Sequence, residues 1–212
     1  MSYIILSPGR CASVQLAVYL KNYLHSSFFH VVNNTKITDL LNLNIIHCHS
    51  KKIALPYLNH KKLIVITRNP LEIAASMLVA EQTKVFHFTE ITIEDYIEKY
   101  KNVEFLLNPK LFSDRIKDIC DWYINIQPLM NDAIVLSYQQ TINIPEVCDI
   151  LDIKFDPQCK LHMAMKPQPF NKWDKIKSSN DLITLGNSVF KKYQILYPLL
   201  FDNRFLNIES QV

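Results

Sequence analysis

Three short stretches carry side chains whose types and spacing suit anion binding and proton transfer. The first, Ser7-Pro8-Gly9-Arg10-Cys11-Ala12-Ser13, joins an apolar run to a helix-like segment. A loop leading from a strand into a helix offers unpaired backbone N–H groups to an anion, and Arg10 adds a permanent positive charge there. The second runs from Ile66-Thr67-Arg68-Asn69-Pro70 to Ser76. A guanidinium at a strand end presents a fork of donors to a phosphate, and a hydroxyl from the following helix adds a further hydrogen bond. The third, His47-Cys48-His49, places two imidazoles that titrate near neutral pH at the end of another apolar run. In an extended segment His47 and His49 project to the same side, which suits a shared reacting group or a metal, although no third ligand lies nearby in sequence. Each stretch also has an ordinary structural reading. The loop is then a plain βα turn, Arg68 pairs with Glu72 four residues on, Ser76 is a small helix residue beside Ala74 and Ala75, and the histidines are hydrogen-bonded at a strand end.

These residues need elements to position them. Tyr3 to Ser7 reads as a strand, and Cys11 to Leu24 as a helix in which Leu16, Val18, Leu20 and Leu24 recur with rough helical spacing. Asn44 to Cys48 is a second apolar run leading into Lys51 to Leu58. Lys62 to Thr67 is a continuous buried strand that breaks at Asn69-Pro70, and Leu71 to Glu81 looks helical. Leu111 to Met130 is a further helix, Ala133 to Ser137 a buried strand, and Pro145 to Leu151 a helix opening on its proline. Strands alternating with helices predict an α/β three-layer sandwich, a central parallel sheet flanked by helices on both faces. In such a sheet ligands bind beyond the carboxyl ends of the strands, where the Ser7 to Ser13 loop falls. Val85 to Lys110, aromatic and charged without one clean period, is assigned to variable substrate binding. With glycine only at positions 9 and 186, Gly9 in the first loop is informative.

The length of 212 residues with 49% hydrophobic content supports one sizeable core, so residues 1–212 are expected to form a single domain. The net charge of +3, with no run of more than two Lys or Arg, favours a localised anion site over a nucleic-acid surface. Met1 to Leu6 lacks a charged leader pattern, and no apolar stretch approaches membrane-spanning length. Five cysteines, an odd count without a Cys-x-x-Cys pair, read as reduced thiols. The expectation is a cytoplasmic protein that binds neither nucleic acid nor membrane.

The motifs together resemble those of sulfotransferases with a P-loop-like fold. The first resembles the family's 5′-phosphosulfate loop, a strand followed by Pro-(Lys/Arg)-Ser-Gly-Thr/Ser-Thr/Ser and a helix, with Arg10-Cys11-Ala12-Ser13-Val14 at the matching places. Ala12 stands where the family has glycine, Val14 where it commonly has a hydroxyl residue, and Gly9 is an extra residue between Pro8 and Arg10. Arg68 and Ser76 keep the eight-residue spacing of the family's 3′-phosphate motif. Lys166-Pro167-Gln168-Pro169-Phe170-Asn171-Lys172-Trp173 is similar to a late loop, Arg-Lys-Gly-x-x-Gly-Asp-Trp, without its glycines. Val135-Leu136-Ser137-Tyr138 is similar to a strand ending in Tyr-Glu-Asp, with Gln139-Gln140 in place of the acids. His47-Cys48-His49 resembles the Lys-x-His at a strand end of cytosolic members, with His49 at the catalytic histidine.

The resemblance implies sulfuryl transfer from 3′-phosphoadenosine 5′-phosphosulfate to a hydroxyl acceptor, with no metal. Arg10, Cys11, Ala12, Ser13 and Val14 would bind the phosphosulfate, and Arg68, Ser76 and Lys166 the 3′-phosphate. His49 would be the base, with His47 and the acids Glu81, Glu90 and Glu94 as other choices. A sugar, a small alcohol or phenol, or a peptide tyrosine would fit as acceptor. The rivals are a small-molecule kinase and a non-catalytic nucleotide-binding module. The first loop lacks the second glycine and the lysine of Gly-x-x-x-x-Gly-Lys-Ser/Thr, which disfavours magnesium-dependent ATP chemistry. The altered positions Ala12 and Val14 are what keep the module in view.

Overall fold

The apolar runs Tyr3–Leu6 and Leu63 to Ile66 do not alternate with polar residues, so strands built from them must be covered on both faces. The computed structural model, which describes residues 1–26, 28–30, 43–83, 95, 98, 108–159 and 180–202, shows how this is achieved. Strands β1 (Tyr3–Leu6), β2 (Phe28–His30), β3 (Ile45–Cys48), β4 (Lys62–Thr67) and β5 (Ile134–Ser137) form one sheet in the order β2-β3-β1-β4-β5. Every pairing is parallel, and Ile5 of β1 lies opposite His47 on one side and Ile64 on the other.

Two groups of helices flank the sheet. Helix α1 (Ser13–Tyr23) packs with α5 (Tyr138–Ile142), which packs with α6 (Ile144–Leu151). The Tyr19 hydroxyl ties this layer together, accepting from the Cys148 thiol at 3.3 Å and from the Asp156 amide at 3.0 Å. The second group is α3 (Pro70–Thr83), α4 (Pro109–Met130) and α7 (Asn180–Leu196). Gly186 lets α7 approach closely, since a Cβ there would stand 2.8 Å from Phe112 Cε1 and 3.0 Å from Leu71 Cδ2. A short helix α2 (Lys51–Ala54) with a 3-10 turn (Leu55–Tyr57) bridges β3 to β4. Among the described residues no helix is long and apolar enough to cross a membrane.

This is the three-layer α/β arrangement expected from the sequence, and β4 has the expected bounds. Strand β2, the short α2 with its 3-10 turn, α5 and α7 were not expected. The strand order has a functional consequence. The chain leaves β1 for β2 and β3 on one side, then crosses to β4 and β5 on the other. Connections therefore depart in opposite directions from β1 and β4, which opens a crevice at their carboxyl ends.

Candidate functional site

The loop after β1 is wound by unusual backbone angles. Gly9 (φ 86), Arg10 (φ 55) and Ala12 (φ 58) are all left-handed, whereas Cys11 between the last two is not. Such alternation turns successive N–H groups toward one concave side, an anion-binding shape. Left-handed geometry costs about 1–2 kcal/mol at each non-glycine residue, so it must be held by contacts. The Cys11 thiol donates to the Gly9 carbonyl at 3.0 Å. The Ser7 hydroxyl donates to Ser13 Oγ at 3.0 Å and accepts from the Gly9 amide at 3.4 Å. Ala12, the residue capping α1, has no side-chain acceptor for the first-turn amides. Burial pushes the Cys11 thiol up to about 12, only partly offset by the Arg68 and Arg10 charges. Cys11 is thus a neutral packing group in the loop. Val14 is half-buried, and Ser13 is buried with its hydroxyl turned to Ser7.

The second motif closes on the first. Arg68 Nη1 donates to the Arg10 carbonyl at 2.8 Å, bridging 58 residues of sequence. Arg10 Nε donates to Ser76 Oγ at 3.1 Å, bridging 66. Arg68, Ser76 and Arg10 are therefore one cluster across the β1–β4 crevice. The Arg68–Glu72 ion pair forms as well, through Nε at 2.9 Å, and the guanidinium lies 4.0 Å from the centroid of the Tyr138 ring. The helix ion pair, one of the two readings of Arg68 from sequence, therefore forms, while Nη1 of the same side chain turns to the first loop.

The histidines line the other side of β1. His47 is fully buried, His49 follows the end of β3, and their rings meet edge to face at 4.8 Å. They share a side, as alternation requires. His49 Nδ1 lies 2.7 Å from the Ser7 carbonyl oxygen. A carbonyl can only accept, so Nδ1 carries the proton and Nε2 the lone pair of the neutral ring. Although His49 keeps a solvent-exposed edge, the protein packed around it lowers its pKa below 6.5, and the hydrogen bond to Ser7 only partly opposes this. The ring stands beside the first loop, since a Cβ on Gly9 would lie 3.9 Å from His49 Cε1. Among the described residues no three His, Cys, Asp or Glu side chains gather as a metal site.

Two residues not singled out in the sequence hold these strand ends. Trp122 Nε1 donates to the His49 carbonyl at 2.7 Å. The Tyr123 hydroxyl accepts from the Arg68 amide at 2.8 Å and donates to the Arg68 carbonyl at 2.9 Å. Of the other acids considered as bases, Glu81 is paired with Arg115 at 2.8 Å. Lys166, Glu90 and Glu94, with most of the Val85 to Lys110 segment, lie outside the described residues.

No family model and no curated protein matches the chain. Among solved structures it is similar to a "Sulfotransferase Domain from the Curacin Biosynthetic Pathway", at 14% identity over 99% of this chain and 96% of that one, with a TM-score of 0.40. A likeness so distant leaves the functional reading to the geometry of the site.

Proposed function

We propose that the chain is a sulfotransferase that moves a sulfuryl group from 3′-phosphoadenosine 5′-phosphosulfate to a hydroxyl acceptor by in-line transfer, without a metal. One observation carries the proposal. The two motifs read as anion sites, far apart in sequence, meet through the Arg10–Ser76 and Arg68–Arg10 bonds, beside a histidine whose Nδ1–H is anchored on the Ser7 carbonyl so that Nε2 is the basic nitrogen. The loop amides of Cys11, Ala12 and Val14 and the Ser13 hydroxyl bind the 5′-phosphate end. Arg68 and Ser76, with Lys166, bind the 3′-phosphate.

In the step itself the acceptor oxygen forms a bond to sulfur while the bond from sulfur to the 5′-phosphate oxygen breaks. The acceptor proton passes to His49 Nε2, and the leaving bisphosphate keeps the electron pair. Burial favours a neutral His49 near pH 7, as a base requires. Arg10, permanently charged, stabilises negative charge on the transferring group rather than donating a proton. His47 packs edge-on against His49 and limits its rotation.

The test is calorimetric titration with 3′-phosphoadenosine 5′-phosphate in the absence of magnesium, with AMP and ATP alongside. Clear preference for the bisphosphate is expected. Magnesium-dependent ATP binding with no bisphosphate response would replace the proposal with the kinase reading.

A further inference from the structure

Arg68 is held far more firmly than one ion pair requires. Its Nη1 is fixed on the Arg10 carbonyl, its face lies on Tyr138, and both its backbone groups are bonded by the Tyr123 hydroxyl. Glu72 is therefore not needed to aim the guanidinium. It sits instead in the first turn of α3, where the partial positive charge of the helix end favours a carboxylate, and it occupies Arg68 Nε at 2.9 Å. The two side chains are 16% and 30% exposed, so solvent screens this negative charge only in part. An anion approaching Arg68 must either displace the carboxylate or tolerate it as a like-charged neighbour.

We infer that Glu72 is a specificity-determining residue, a resident counter-anion on Arg68 that a ligand must outcompete and that only a doubly anchored phosphate ligand displaces. The inference rests on the proposed role of Arg68 as a phosphate ligand. The 3′-phosphate of a bisphosphate, whose 5′ end is already held by the first loop, competes with Glu72 for the guanidinium, whereas free sulfate, of equal charge but with no second anchor, does not. The carboxylate thus lowers affinity for every anion at this position and keeps the site clear of abundant small ions.

The experiment titrates the full chain and its Glu72→Gln and Glu72→Asp variants with 3′-phosphoadenosine 5′-phosphate, with AMP, and with the bisphosphate in the presence of sodium sulfate. Removing one like charge from a partly screened site should tighten bisphosphate binding roughly tenfold in Glu72→Gln. AMP, which has no 3′-phosphate, should change by less than about twofold, the scale of a screened surface charge. Sulfate should compete in Glu72→Gln at concentrations without effect on the parent, while Glu72→Asp, which keeps the charge, should stay close to the parent. If the parent binds the bisphosphate and Glu72→Gln binds it equally or more weakly, Glu72 serves to orient Arg68 and the inference fails while the phosphate role stands. Absence of bisphosphate binding in the parent would overturn both.

Discussion

Ala12 offers a direct test of the loop geometry, because its backbone and its side chain disagree. It caps α1 at φ 58 and ψ 14, where the Cβ of an L-residue crowds the following carbonyl. Substituting glycine removes that crowding, worth about 1–2 kcal/mol in the folded state. Against this, the unfolded chain gains freedom worth about 0.4–1 kcal/mol. The difference predicts that Ala12→Gly stabilises the protein by about 1 kcal/mol, which for a chain of 212 residues is a rise of about 2–4 °C in Tm. Thermal and urea unfolding of the parent, Ala12→Gly and Ala12→Val measure it, with the β-branched variant expected to fall below the parent. An unchanged or lowered midpoint in Ala12→Gly would refute a left-handed residue at this position. The loop amides would then not be turned to one side by alternating backbone angles.

Two further outcomes follow from the same contacts. The His49 pKa, followed by NMR, should lie below 6.5, because packing around the ring disfavours its charged form. The unfolded chain then takes up the proton first as pH falls, so this group's contribution to stability is intact above 6.5 and is lost between 6.5 and the lower folded value. A folded pKa above 6.5 would contradict both the packing and the acid limb expected for turnover. Gly186→Ala should destabilise by about 1–3 kcal/mol through overpacking, despite the better helix propensity of alanine, since its methyl would meet the Phe112 ring at 2.8 Å. Urea unfolding decides this, and a more stable variant would mean that α7 does not press on α3 and α4 at that point.

The parts of the fold that sequence displayed are those where composition and punctuation agree. Lys62–Thr67 is apolar throughout and is stopped by Asn69-Pro70, so its limits were readable. Helix α1 begins at Ser13 and not at Cys11 because Arg10 and Ala12 are left-handed, which their side chains do not advertise. Strand β2 has only three residues, too few for a period to declare itself. Helix α5 was legible in principle. Ser137 and Gln140 form a reciprocal capping box, a known start signal that here also ends β5. In the site, the spacing of Arg68 and Ser76 marked their cluster, but the bond from Ser76 to Arg10 depends on β1 and β4 being neighbours. Trp122 and Tyr123 left no signal because they bond to backbone groups, which every residue has.

Those two aromatics occupy adjacent positions on α4 yet grip strand ends on either side of β1, about 10 Å apart if two strand spacings separate them. The helix acts like the fixed bar of a caliper, with one jaw on the chain that carries His49 and the other on the chain that carries Arg68. Because β3 and β4 both pair with β1, the sheet sets the opening between the jaws, and α4 fastens both of them. A single dipeptide thus ties the backbone beside the proposed proton acceptor to that of the arginine proposed to bind phosphate.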